Sequence, residues 1–431
     1  MGSLLIKKSK AMRKRNLACN IFSSALCAFI FLSTMDVAAF AVFKKNANGE
    51  FEDINKAFRS ATYWKGADGA MTIETAPGKT LWLFGDTWIV DSTGGPQLPS
   101  RILINNSVAT QEFVPRSGEA TCGFSRPKKS CDTLDIGISR WNFWFGGTPS
   151  EPASIFRSKE KGTYYWPGCG IANGGKLYLI LKKIRQKENA NPLFQFDWFA
   201  EDLLIVQNPM NAPSEWVYTI HPVSTERHEV QYGLACTKDQ NYLYSLCYLE
   251  REGSARKKTI LARVLLNKLD SISAKSWEYF CDSTSMPKGS WLADFQKAKN
   301  IIPDGGPEMS LFFHDGLKCF VSVYQPPLSP AVNLRVARKI EGPWSEPMEI
   351  FKVPERTLAD GKTTALVYAG KAHECLSDGH TIIFSYCENP GGLEQHMANP
   401  DVYFPTVRTF TISDRSISKM LDAADVSAAK P

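Results

Sequence analysis

Three observations predict an all-β chain folded as a five-bladed β-propeller. The 431 residues are 43% hydrophobic and 12% aromatic, with 30 glycines and 25 prolines. Their apolar residues fall in short β-rich runs broken by turn residues, not in long helical stripes. A hairpin-like unit then recurs five times: a short strand, a Gly- or Asp-containing turn, and an aromatic-rich strand. After the second, third and fourth units come another strand, a turn carrying Trp216, Trp277 or Trp344, and a further strand-like run. That makes about four strands per unit, the content of a propeller blade. A two-sheet sandwich would explain the strands but not five similar hairpins.

The first unit, residues 66–88, folds about Pro77-Gly78 and carries an acid at each open end, Asp68 and Asp86. Folding there brings the two carboxylates close to cross-strand register, where Cβ atoms lie about 4.5–5.5 Å apart. Later units place their second strands over 176–182, 241–249, 317–324 and 380–386, roughly 60 to 100 residues apart, a spacing that reads as a blade array. Outer runs follow at 217–220, 278–280 and 348–351. A last strand near Tyr403, Pro405 and Arg408 is expected to close the ring. The propeller is thus expected over residues 42–413, with a short helix or frayed tail over 414–431.

Residues 1–41 read as a targeting segment. Lys7, Lys8, Lys10, Arg13, Lys14 and Arg15 precede an apolar run over 17–35 and the small-residue pattern Ala39-Phe40-Ala41. That order matches a secretory signal peptide cut near Val42; the alternative is an uncleaved anchor helix. The expected location is secreted, periplasmic or cell-surface, with membrane contact only if the segment stays attached. Most of the net charge of +6 lies in this segment, so the body lacks the basic surplus of a nucleic-acid binder. Of the eleven cysteines, Cys19 and Cys27 fall in it, leaving an odd number, so at least one is unpaired or pairs between chains. Cys122 and Cys131 bracket a loop and form the best local pair. No Cys-x-x-Cys or His pair suggests a metal, and no Gly-rich phosphate loop or Gly-x-Ser-x-Gly elbow suggests nucleotide or serine chemistry. No cofactor is expected, and the chain is expected to be a monomer.

Aligning the hairpins puts Asp68, Cys169, Gln231, Glu308 and the pair His373-Glu374 where the inner strand of each blade starts beside the channel. Trp64, Trp88 and Trp166 lie nearby to stack on a sugar ring, and aromatic faces with convergent polar groups suit a carbohydrate pocket. Asp68 and Asp86 are the expected catalytic pair, since neighbouring carboxylates separate into a proton donor and a base. The alternative for each is a turn aspartate bonded to local backbone. Glu308, Gln231, His373 and Glu374 are expected to bind sugar hydroxyls or tune the pair. Asn106 is expected to orient substrate or make a turn, and Arg408 to reach the channel or pair with an acid.

The stretches Asp68-Gly-Ala, Leu83-Phe-Gly-Asp86-Thr-Trp88, Asn106-Ser-Val, Trp166-Pro-Gly, Glu308-Met-Ser, Gly342-Pro-Trp-Ser345 and Ala372-His373 resemble the DUF4185 family, which includes endo-D-arabinanases. That resemblance implies a five-bladed propeller and inverting hydrolysis of a furanose-containing or related polysaccharide by Asp68 and Asp86, with Asp68 as base and Asp86 as acid or the reverse. It also implies acids where this chain has Cys169 and Cys375, and leaves room for a Cys169–Cys375 disulfide. The competing class is a propeller that binds carbohydrate without cleaving it.

Overall fold

Strands buried on both faces read as near-continuous apolar runs. The second strand of each hairpin does so: 79–91 is KTLWLFGDTWIVD and almost wholly buried. Such strands need a sheet neighbour on either side and another sheet above and below, which a ring of blades supplies. In the computed structural model, residues 51–91, 100–113, 131–136, 139–187, 195–224, 229–250, 257–281 and 289–429 are described, with backbone alone at 100, 131–136 and 429. The signal-or-anchor segment and the Cys122–Cys131 pairing lie outside the described residues.

Blade 1 contains β1 (Trp64–Ala76), β2 (Lys79–Asp91), β3 (Ser100–Ile104), β4 (Ser107–Phe113), β5 (Cys131–Ile136) and β6 (Ser139–Trp144), ordered β1-β2-β4-β6-β5 with β3 also on β2. A short ladder of β7 (Gly146–Gly147) and β8 (Pro152–Ala153) leads to blade 2: β9 (Thr163–Asn173), β10 (Lys176–Gln186), β11 (Phe196–Val206) and β12 (Tyr218–Pro222). Blade 3 is β13 (Val230–Lys238), β14 (Tyr242–Leu249), β15 (Lys258–Leu265), β16 (Glu278–Cys281) and β17 (Ser290–Leu292). Blade 4 is β18 (Phe312–His314), β19 (Cys319–Tyr324), β20 (Ala331–Ala337) and β21 (Met348–Lys352). Blade 5 is β22 (Leu366–Ala372), β23 (Thr381–Asn389) and β24 (Thr406–Thr411). The five sheets form a five-bladed β-propeller, the fold class the sequence predicts.

Apolar seams hold neighbouring blades together. Leu81 and Leu83 meet Leu179 and Leu181 between blades 1 and 2, and Ile180 and Ile205 meet Leu243 and Ile260 between blades 2 and 3. Leu246 and Leu261 meet Leu311 and Tyr324 between blades 3 and 4, and Val321 and Val323 meet Ile382 and Phe384 between blades 4 and 5. The ring closes through an element the sequence reading missed, the helix Glu52–Ser60. It starts with Glu52 and Asp53 and ends with Arg59, charges that suit its dipole. It buries Ile54, Ala57 and Phe58 at helical spacing. Phe58 lies against Trp64, Trp82, Phe84 and Trp141 of blade 1. Asn55 pairs with the Val407 backbone of blade 5 in both directions, at 3.0 and 2.8 Å. The last described element is the helix Asp414–Ala429, whose Ile417 and Leu421 join the seam of blades 4 and 5. Among the described residues no helix is long and apolar enough to cross a membrane.

A slip in the pairing of β1 with β2 positions the site. In β1, Ala67 pairs with Thr87 but Gly69 pairs with Phe84, so the single residue Asp68 faces both Gly85 and Asp86. This is a β-bulge, which bends a strand and re-aims a side chain. Pairing also slips between Gln231 and Ala235 in β13, around Gly233 at φ +88°, and between Tyr368 and Lys371 in β22, around Ala369 at φ +61°.

Candidate active site

At Asp68 the extra residue lies on β2, and one step further along the ladder Ala70 is the extra residue on β1. Ala70 is held at φ +57°, a left-handed conformation that costs a residue with a Cβ roughly 1–2 kcal/mol. Opposite it, a Cβ on Gly85 would collide with the Asp68 carboxylate, so a glycine there lets the acid lie flat over β2. Asp68 and Asp86 are both partly accessible. Asp68 Oδ2 accepts hydrogen bonds from the hydroxyls of Tyr368 at 2.8 Å and Tyr403 at 2.9 Å. Asp86 Oδ1 accepts from Trp166 Nε1 at 2.8 Å and from Asn105 Nδ2 at 3.2 Å. Burial raises the Asp68 carboxyl, the charges of Asp86 and Glu308 raise it further, and the phenol bonds only partly offset this, leaving it at about 7. Asp86 is pushed up to about 6 by burial, against the indole and amide bonds. Near neutral pH the pair therefore shares about one proton, with Asp68 as the preferred holder.

A third acid, Glu308, precedes blade 4. Lys371 of β22, fully buried, donates both to the Glu308 carboxylate and to the carbonyl of Gly69. Burial alone would raise Glu308, but Lys371 and Lys182 outweigh it and hold the carboxyl below its ordinary range. Lys182 of β10 is itself buried, donates to the Pro307 carbonyl at 3.2 Å and lies 4.7 Å from the Trp198 ring centre. Burial lowers its ammonium. On blade 2, the Trp166 ring meets Tyr164 and Phe196 edge-on at 5.8 and 4.7 Å, and all three rings are partly accessible.

Asp68, Asp86, Trp166 and Glu308 thus come together. The other residues expected at the site lie elsewhere. Trp64 is fully buried among Phe58, Phe84, Phe143 and Phe404, with its Nε1 donating to Ser107 Oγ; it packs the core and is not available for stacking. Trp88 is buried against His396, to which its Nε1 donates at 3.0 Å, and the same imidazole packs edge-on against Tyr403. Asn106 is fully buried, its amide satisfied by the backbone of Phe156 and Tyr165. Its neighbour Asn105 is the one that reaches Asp86. Gln231 is tied to Lys257 and the Trp198 carbonyl.

His373 and Glu374 were expected level with Asp68 and are not, because β22 begins at Leu366 and its pairing slips after Tyr368, around Ala369. His373 sits deeper, buried beside Thr72 and against the Trp82 ring, and burial lowers it to about 3. Glu374 lies near Glu74, six residues along β1 from Asp68, or about 20 Å at strand rise. Its side chain is exposed. Arg408 lies on the outer strand of blade 5, over the Phe351 ring at 4.1 Å, lining a recess of about 470 Å³ with Tyr386 and Glu388. Cys169 pairs with Cys236 of blade 3, not with Cys375, which is free and contacts Thr80 Oγ1 at 3.6 Å.

Tyr368, Lys371 and Lys182 were missed. The available signal was a lysine inside an otherwise apolar strand: KLYLILK at 176–182 and LVYAGKA at 366–372. Among the described residues no cluster of metal-ligating side chains is present.

No curated protein sequence matches the chain. Among solved structures, one described as "a putative hydrolase from Bacteroides ovatus" is 15% identical, covers 88% of this chain and 96% of its own, and has a TM-score of 0.60. It shares the fold. A GH43_1 enzyme from Xanthomonas citri complexed with xylotriose (9% identity, 83% of this chain and 92% of its own, TM-score 0.38) is more distant. So is the β-1,2-mannobiose phosphorylase from Listeria innocua (10% identity, 84% and 93%, TM-score 0.39). The family profile that matches residues 52–411 is that of a domain of unknown function, DUF5005. It overturns the resemblance to DUF4185, whose motifs are short and lie on blade features that different propellers can share. The chain belongs to the DUF5005 family.

Proposed function

We propose that this propeller is a glycoside hydrolase acting on an oligosaccharide or polysaccharide, with Asp68 and Asp86 as its two carboxylates. One observation carries the reading: two partly accessible acids share one bulge and are both raised from 3.8, to about 7 and about 6. Such a pair can supply a proton and a base together near neutral pH. Asp68, facing the charges of Asp86 and Glu308, holds the proton and donates it to the leaving oxygen as the C1–O bond breaks. Asp86 removes a proton from the water that forms the new bond at C1. This reverses the assignment first expected from sequence. Trp166, with Tyr164 and Phe196, offers aromatic surface to a sugar ring. We read the propeller as exported, and the Cys169–Cys236 disulfide between blades supports this.

The test is a panel of polysaccharides and oligosaccharides, including arabinans, with Asp68→Asn and Asp86→Asn as controls. Each variant should lose activity by about 10²–10⁴-fold, and NMR of the first product should show inversion. Full activity in either variant removes the mechanism. Sugar binding without turnover by the wild type favours the non-catalytic class.

A further inference from the structure

Lys371 makes an unusual pair of contacts. It is fully buried, yet it touches neither Asp68 nor Asp86 among its hydrogen-bond partners. Its ammonium joins the Gly69 carbonyl of blade 1 to the Glu308 carboxylate of blade 4. Gly69 is the residue after Asp68 and sits at φ +84°, inside the bulge. Three blades therefore meet at one nitrogen, and the strained turn that aims Asp68 is fastened there. An unpaired ammonium or carboxylate at this depth would be costly, which makes each partner necessary to the other.

We propose that Lys371 and Glu308 are positioning residues for the acid pair: the ammonium fixes the Asp68 bulge, and the carboxylate it holds presents a fixed negative charge to Asp68. This inference rests on the reading of Asp68 and Asp86 as the reacting pair. The charged and titratable groups around Asp68 are Asp86 of β2, Lys182 of β10, Glu308, Tyr368 and Lys371 of β22, Cys387 of β23, and Tyr403. Within this set, Asp86 and Glu308 are the carboxylates whose charge raises Asp68. Glu308 is also the one held ionised by two ammonium groups.

The experiment reads the proton on Asp68 directly. Infrared difference spectra across a pH titration identify its protonated carboxyl band as the one missing in Asp68→Asn. In Glu308→Gln the midpoint of that band should move to lower pH by about one unit, a tenfold change in proton affinity. The alkaline limb of the pH–rate profile should move with it. Lys371→Met combined with Glu308→Gln removes both charges at similar volume. It should fold even if the single variant does not, and should shift the midpoint in the same direction by less. Lys371→Met alone should cost turnover no less than the double variant, because the two residues act as a unit. An unmoved midpoint in the folded variants overturns the inference, as does additivity of the two substitutions. A shifted band in a protein that cleaves no glycoside would leave the positioning role standing and remove the proposed function. Turnover with an unshifted band would do the opposite.

Discussion

Two phenols aim at one oxygen of Asp68, and their effect opposes that of burial and of the nearby acids Asp86 and Glu308. Each donated hydrogen bond stabilises the carboxylate, while burial and the two nearby acids stabilise the protonated form. Tyr368→Phe removes one donor and leaves the ring, so the Asp68 carboxyl should rise above about 7. If Asp68 is the proton donor, activity should then persist to higher pH. The alkaline limb should move up by about half to one unit, opposite to the shift expected for Glu308→Gln. A pH–rate profile for the two variants side by side distinguishes the hydrogen-bond effect from the charge effect. Tyr403 has further support from His396, which burial lowers to about 4 and thus keeps neutral. That neutral imidazole accepts from Trp88 while packing on the Tyr403 ring. Trp88 therefore bears on the site through two intermediaries, not by touching a sugar.

At the scale of the element, the bulge decides what the hairpin can do. A regular ladder would pair Asp68 with one residue of β2; the two-against-one step gives it two, and one of them is the glycine over which its carboxylate lies. Gly85→Ala should leave the fold intact, because β2 is anchored on both sides by β1 and β4. It should nevertheless displace the Asp68 carboxylate. A displacement of about 1 Å at a reacting group costs roughly 100-fold in rate, so kcat should fall by about that factor with little change in melting temperature. Equal losses of stability and activity would point instead to general disruption of the blade. Slips around Gly233 and Ala369 put their extra residues on the inner strand, whereas the slip at Asp68 puts it on β2 and sets the acid against two residues.

For the whole molecule, the ring must be closed, and the first described element does it. Asn55 contributes an amide that donates to and accepts from the same Val407 backbone, in a buried setting. Asn55→Ala leaves the Val407 N–H unpaired, while the Val407 carbonyl keeps its bond from the Phe51 N–H at 2.9 Å, and should cost about 1–3 kcal/mol in chemical denaturation. Activity at low temperature should stay near wild type, because the Asn55 side chain bonds the Val407 backbone and not the acid pair. The blades themselves were legible: five apolar second strands and three tryptophan turns fix their number and spacing through local pattern. The closing helix was not, since nine residues of amphipathic sequence carry a weak signal until there is a seam to fill. Likewise the hairpin about Pro77-Gly78 was enough to bring Asp68 near Asp86, because cross-strand register is a local property. Trp64 and Asn106 looked like ligand-binding residues because a buried aromatic or amide and an exposed one read alike in sequence. The depth of His373 and Glu374 in the channel depended on where β22 begins. The partner of Cys169 and the clamp formed by Lys371 depended on which blades become neighbours. Sequence alone determined the blades and the acid pair, whose causes lie within one hairpin. Only the tertiary structure decided which residues surround that pair, because those contacts join side chains as much as 335 residues apart and exist only once the ring has closed.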